Sequence, residues 1–524
     1  MTTLTKRLAS FALADALVLG LAAALAAQIR LPALIGDHMV IQQDKPVAIW
    51  GWAGKNEPVT VIFNGQEKKA VAAAPDGRWR VLFDALKASD KPLEMTIRGA
   101  KGPANVIKDI LVGEVWVCSG QSNMEWAMSW LPDPAPDILR AVNPNMRLFL
   151  VPKRTADRPQ EDVVAKWEPC SPDSVRPFSA VAYYFGLELH KRLGVPVGII
   201  ESAWGGTMIE PWTPPIGFAA VPELKPILDG QAVKYQTYRD ELGKTLPSWE
   251  TWIREARKAL AANAPLPPEP PLGPDNPFSS PQAPTALYNG MIHALTPFAI
   301  RGAIWYQGEA NRNDGLLYAK KMEAMIKGWR TAWQLGDFPF YYVQLAPYDY
   351  GYNRDTPVVD VPDDLRLPLI WEAQTKAMGI PNTGMAVVTD IADLRNIHPT
   401  NKRDVGYRLS LWARAETYGE KTLVHSGPLY KSMTVDGNLI RLAFDHVGGG
   451  LVANDGQPLK WFEIAGDDHI FYNAEADIAG DTVVVWSPKV AAPKAVRFGW
   501  SQLAVPNLAN KDGLPASPFR TDNW

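Results

Sequence analysis

Cys118-Ser119-Gly120-Gln121-Ser122-Asn123-Met124-Glu125 closes the apolar run Ile110-Leu111-Val112-Gly113-Glu114-Val115-Trp116-Val117. An apolar, β-prone run that breaks into Ser-Gly-Gln-Ser-Asn reads as a buried strand ending in a tight turn. That geometry sets Ser122 at the carboxyl edge of a sheet, where open α/β folds carry their chemistry. The same residues also suit a plain strand-to-helix cap, because Ser and Asn cap helices well. The rest of the chain decides between the two readings.

From 106 to 425, strand-like runs alternate with amphipathic helical patterns, the signature of a parallel sheet. Strands are expected at 112–118, 147–151, 197–202, 302–306, 339–345 and 384–389. Helices are expected near 178–193, 317–334, 367–378 and 402–417, the last burying Val405, Leu409 and Trp412. Residues 213–285 interrupt this alternation with a proline-rich insertion that holds a helical piece, Trp249 to Ala262. Residues 28–105 are β-rich, with Asn64-Gly65 and Asp76-Gly77 as hairpin signals, and read as a small sandwich. Residues 426–524 turn β-rich again, around Leu439–Phe444 and Thr482–Trp486. The expected fold is an α/β core between two β-rich regions.

The bulk numbers narrow the function. With 524 residues and 47% apolar content the chain can bury a large core in about two to four domains. A net charge of −3 offers nothing to nucleic acid or an anionic membrane. Residues 1–27 read as a signal peptide, with Lys6 and Arg7 ahead of a short apolar run that ends in Ala24-Leu25-Ala26-Ala27. That run is too short to span a bilayer, so a secreted or periplasmic protein is expected. Cys118 and Cys170 read as unpaired, buried thiols. No Cys/His cluster has metal-ligand spacing, and no cofactor is expected.

Four segments, in order, resemble the SGNH hydrolases, specifically the sialate O-acetylesterase-like carbohydrate esterases. They are Cys118–Glu125, then Glu201-Ser202-Ala203-Trp204-Gly205-Gly206-Thr207, Trp305-Tyr306-Gln307-Gly308-Glu309-Ala310-Asn311, and Ile397-His398-Pro399-Thr400-Asn401-Lys402. Arg30–Val40 and Gly513–Asp522 also look like this branch, so the resemblance covers nearly the whole mature chain. It implies an SGNH-type parallel-sheet core and removal of acetyl groups from acetylated sugars.

Ester hydrolysis at neutral pH needs an activated nucleophile, a base and donors for an oxyanion. Ser122 is the nucleophile candidate. His398 is the base candidate, on a loop between the strand near 384–389 and the helix carrying Val405 and Leu409. The third member is open. Many SGNH hydrolases carry Asp three residues before the histidine, where this chain has Arg395. Two residues before it stands Asn396, where sialate-esterase-like relatives often show Asp. Asp390, at the end of a strand, is placed first, ahead of Asp393, Asn396 or a plain Ser-His dyad. For the oxyanion, the Ser122 N–H is joined by Gly205 or Gly206, since glycine lets a backbone approach a ligand. Gln307 stands where the SGNH family uses Asn, and Glu309 would orient its amide or line the pocket. Trp126, Trp130, Trp204, Trp305 and Tyr306 fall in or beside the blocks as stacking platforms for sugar rings.

The leading expectation is therefore a carbohydrate O-acetylesterase acting on sialic acid or a plant polysaccharide such as xylan, without metal. A lipase- or thioesterase-like SGNH hydrolase would want a long apolar acyl channel, and no long apolar lid stands out. A non-catalytic carbohydrate-binding protein would not need an intact Ser122 and His398.

Overall fold

The structure is a computed structural model that describes residues 29–100, 102–352 and 365–524. The expected signal peptide, 1–27, lies outside the described residues. The N-terminal strands are β1 Val40–Gln42, β2 Val47–Trp52, β3 Pro58–Phe63, β4 Gln66–Val71, β5 Arg78–Phe83 and β6 Ser89–Arg98. The next strand, β7, runs without a break from Asn105 to Gly120. Its first residues alternate between buried and exposed, and from Ile110 onward every residue is buried. The change marks where the strand leaves a sheet with one wet face and enters a parallel sheet covered on both faces. In its N-terminal part β7 pairs antiparallel with β6, and its middle pairs parallel with β1.

The core sheet adds β8 Asn143–Leu150, β9 Trp167–Cys170, β10 Val197–Ala203, β11 Gly302–Tyr306, β12 Phe340–Val343 and β13 Thr383–Ala386. Its order is β13-β12-β11-β7-β10-β8-β9, parallel throughout except for β9 at the edge. The strand order reverses around β7, so the tip of β7 is a switch point, the place where such sheets bind ligands. Helices Ala180–Leu193, Leu317–Trp333, Arg366–Ala377 and Lys402–Trp412 connect these strands, close to their expected positions. Cys118 and Cys170 are free and buried.

The insertion differs from its reading. Its helix spans Lys225–Ala261, with Pro247 inside, rather than starting near Trp249. Proline removes one backbone donor and is a natural place to end a predicted helix. The polar stretch before Pro247 is nevertheless helical, and nearly all of it faces solvent. The proline-rich segment that follows runs back along this helix: the Trp249 and Trp252 indoles donate to the carbonyls of Pro271 and Pro267, both at 3.0 Å.

The C-terminal region has its own apolar core around Ile440, Leu442, Ile464, Val483, Val485 and Phe498. It docks on the parallel-sheet core through Arg520, which donates to Glu372 at 2.8 Å, and through the Gln344 amide on Ser517 at 2.9 Å.

Gly120 closes β7 at φ 144°, and a Cβ there would press into the carbonyl of Tyr306. The strand ends are laced at this point. Gln121 N–H donates to Tyr306 O at 3.0 Å, and Trp204 N–H donates to Gly120 O at 3.1 Å. Gly120→Ala is therefore expected to lower stability by about 1–3 kcal/mol, the scale of overpacking. Chemical denaturation of the variant would measure it, and an unchanged midpoint would show that the lacing is loose.

Candidate active site

Three loops meet at the carboxyl edge of the sheet. The first follows β7. Gln121 leaves the strand with extended geometry, and a single helical turn, Ser122–Glu125, begins at once. Ser122 thus sits at the head of that turn. Its backbone N–H has no acceptor among the described residues, as expected for the first donors of a helix. The second loop follows β13 and carries His398. The imidazole Nε2 lies 2.8 Å from Ser122 Oγ, within the range for a hydrogen bond that can pass a proton. The Trp126 indole stacks on the imidazole, ring centroids 4.8 Å apart and planes 27° from parallel. Burial, and then the charge of Lys402, lower the His398 pKa from its ordinary value.

The third member is not where it was expected. Asp390 holds the Arg408 guanidinium by two bonds of 2.6 Å each, and Arg408 also donates to the Val387 carbonyl. Arg408 is buried. A buried guanidinium needs a carboxylate, so Asp390 serves the arginine and not the histidine. Asp393 accepts from the Arg395 N–H, and Asn396 Oδ1 accepts from the backbone N–H of His398. Both side chains cap a turn of their own loop. Among the described residues His398 Nδ1 has no carboxylate partner, so the geometry is that of a Ser-His pair.

The other sequence-selected residues divide. The third loop, after β10, carries the glycines, and a Cβ on Gly205 would lie 3.2 Å from the Ser122 Cβ. The Gly205 N–H is engaged, however. It donates to Glu125 at 2.5 Å, and the other oxygen of that carboxylate is 2.5 Å from Lys153 Nζ. The Gly206 N–H has no acceptor among the described residues. Gln307 is fully buried and its amide is engaged: Nε2 donates to Thr207 O and Asn311 Oδ1, and Oε1 accepts from Tyr318. It cannot also point at an oxyanion, so its expected role is corrected. Asn311 in turn accepts from the Ile209 N–H and donates to Glu210. Gln307 and Asn311 therefore bracket the loop after β10 to the end of β11. Glu309 does not orient the Gln307 amide. It accepts from Asn123 Nδ2 at 2.5 Å instead. Trp305 and Tyr306 are core residues, whereas Trp130 is 54% exposed and meets Trp126 edge to face.

Sequence reasoning gave no role to Asn123, Glu125, Lys153, Lys402 or Arg408. Asn123 and Glu125 lie inside the first quoted segment and Lys402 ends the last. Its place at the end of that segment, just after Asn401 caps the next helix, was the available signal for Lys402. Lys153 and Arg408 carried none. Among the described residues no group of three or more His, Cys, Asp or Glu could hold a metal ion. No helix among them is long and apolar enough to cross a membrane.

Glu201, on β10, is buried and accepts from the Ser179 N–H at 2.6 Å. Burial pushes its carboxyl up to about 8. A carboxyl raised in the folded state holds its proton there while the unfolded chain has lost it, so stability falls as pH rises from about 4.5 toward 8. Glu201→Gln should accordingly become less destabilising, relative to wild type, between pH 5 and pH 9. Melting curves at the two pH values check it, and a gap that widens with pH would refute the assignment.

Comparison with known proteins fits this geometry. Residues 278–404 match the family described as carbohydrate esterase, sialic acid-specific acetylesterase. The rat protein named sialate O-acetylesterase is 31% identical, with 94% of each chain covered. The human protein of that name is 30% identical over 76% of this chain and 73% of its own. A solved carbohydrate acetylesterase from Xanthomonas citri superposes with a TM-score of 0.79 at 36% identity, covering 95% of this chain and all of its own. With that coverage and identity at both levels, the chain belongs to the sialate O-acetylesterase family of carbohydrate esterases.

Proposed function

We propose that this protein is an exported carbohydrate O-acetylesterase in which Ser122 is the nucleophile and His398 the general base. The observation that carries the reading is the 2.8 Å contact between Ser122 Oγ and His398 Nε2 at the switch point of the sheet. His398 takes the Ser122 proton as Oγ attacks the acetyl carbonyl. The oxyanion accepts from the Ser122 N–H, and the uncommitted Gly206 N–H on the loop after β10 is the candidate second donor. Collapse of the tetrahedral species passes the proton to the departing sugar oxygen and leaves an acetyl group on Ser122. Water, deprotonated by His398, then releases acetate and restores the serine. The signal-peptide pattern read in residues 1–27 of the sequence supports export, and the named relatives support an acetylated sugar as substrate.

Acetate release from a panel of O-acetylated sialic acids and acetylated xylan fragments tests the proposal. Release from at least one sugar, with little hydrolysis of long-chain acyl esters, is the expected result. Preference for long acyl chains would favour a lipase-like enzyme. No release from any ester would leave a binding protein.

A further inference from the structure

Behind the Ser122–His398 pair lies a buried polar cluster that the reaction scheme does not use. Lys402 opens the helix after the histidine loop and is 1% exposed. Its Nζ donates to Asn123 Oδ1. Asn123, also 1% exposed, uses both hydrogens of its amide, one on the Ile397 carbonyl at 3.0 Å and one on Glu309. Lys402 Nζ further lies over the rings of Trp126 and Tyr306, at 5.6 and 5.5 Å from their centroids. Lys402 therefore touches two of the groups that hold His398: the amide that pins the preceding carbonyl and the indole that stacks on the imidazole.

We propose that Lys402 is the positioning residue for His398, acting through Asn123 and Trp126 in place of a carboxylate on Nδ1. The inference rests on His398 being the base. An asparagine left to itself could turn its amide over. An ammonium is a donor only, so it fixes Oδ1 toward itself and Nδ2 toward Ile397 and Glu309. The Ile397–His398 peptide is then held from the Ser122 side. Asn396 Oδ1 holds the same peptide through the His398 N–H at 3.0 Å. The imidazole plane is set by Trp126.

The cluster also sets the charge around the base. The charged group acting on it is Lys402, which Glu309 opposes, and the phenols of Tyr306 and Tyr350 lie near Glu309, where burial keeps them protonated. Glu125, paired with Lys153, stands at Gly205. Burial lowers the Lys402 pKa to about 7, with Glu309 opposing the shift, so the ammonium is charged below neutrality. There it disfavours an imidazolium. His398 thus stays a free base at lower pH than an ordinary histidine.

The test is steady-state kinetics on p-nitrophenyl acetate across pH for the full chain and for Lys402→Met, Lys402→Gln and His398→Ala. Lys402→Met should lower kcat roughly 10- to 100-fold, the scale of a slightly misplaced catalytic group, with KM within about twofold. Its acid limb of kcat/KM should move to higher pH, since no cation opposes the imidazolium. Lys402→Gln keeps a donor for Asn123 and should recover part of kcat while leaving the limb displaced. Melting curves establish that each variant is folded. A folded Lys402→Met with wild-type kcat and an unmoved limb overturns the proposal. If His398→Ala itself keeps wild-type activity, it is the base assignment that fails.

Discussion

Ser122→Ala is expected to lower kcat for acetyl-ester hydrolysis by at least about 10³-fold while leaving the melting temperature unchanged. The structural half of that expectation is local. The Oγ is bonded to His398 Nε2 alone among the described residues, and the helical turn it heads is held by backbone bonds from Met124 and Glu125 to Gln121. Removing one hydroxyl leaves those bonds intact. His398→Ala should cost a similar factor, because the two groups act as a unit, and the double variant should be little worse than either single one. Kinetics on purified variants free of contaminating esterase decide it. Retention of more than about a tenth of the activity by Ser122→Ala would remove the nucleophile assignment. Losses that multiply in the double variant would mean that serine and histidine work independently.

The strand ends that meet around Ser122 were legible in the sequence, and the reason is periodicity. The all-buried part of β7, Ile110–Gly120, is mostly apolar, as a strand of a doubly covered sheet should be, and its break at Gly120 marks the edge. The same rule located the strands at 197–202 and 302–306 and hence the loops at Gly205 and Glu309. Order along the chain does not say which way a polar side chain turns. Gln307 sits at the predicted strand end, but Thr207, Asn311 and Tyr318, from three separate places, capture its amide. The Lys225–Pro247 stretch was hidden for a different reason. A helix with so little buried face shows no apolar stripe, and Pro247 marked a false start.

Asp390 illustrates the same limit with the largest consequence for stability. A strand-end aspartate eight residues before the histidine looks like a triad member. Arg408, from the following helix, determines its actual use. Asp390→Asn should lower stability by about 3 kcal/mol, near the low end for interrupting a buried ion pair, because Asn keeps one acceptor and the Asp390 side chain is 18% exposed. Its kcat per folded molecule should stay within about threefold of wild type, far from the roughly 10⁴-fold loss known for the serine-protease aspartate. Arg408→Met should destabilise by a similar amount. The pair Asp390→Asn with Arg408→Met should then be less unstable than the sum of the two, since partners in contact couple. Denaturation midpoints for the four proteins measure the coupling. A collapse of kcat in a fully stable Asp390→Asn would return that carboxylate to His398. Additive stability losses would mean that the two 2.6 Å contacts contribute little to the folded state. Strong coupling with preserved turnover would tie Asp390 to the helix after the histidine loop and leave Asn123, Trp126 and Lys402 to hold the base.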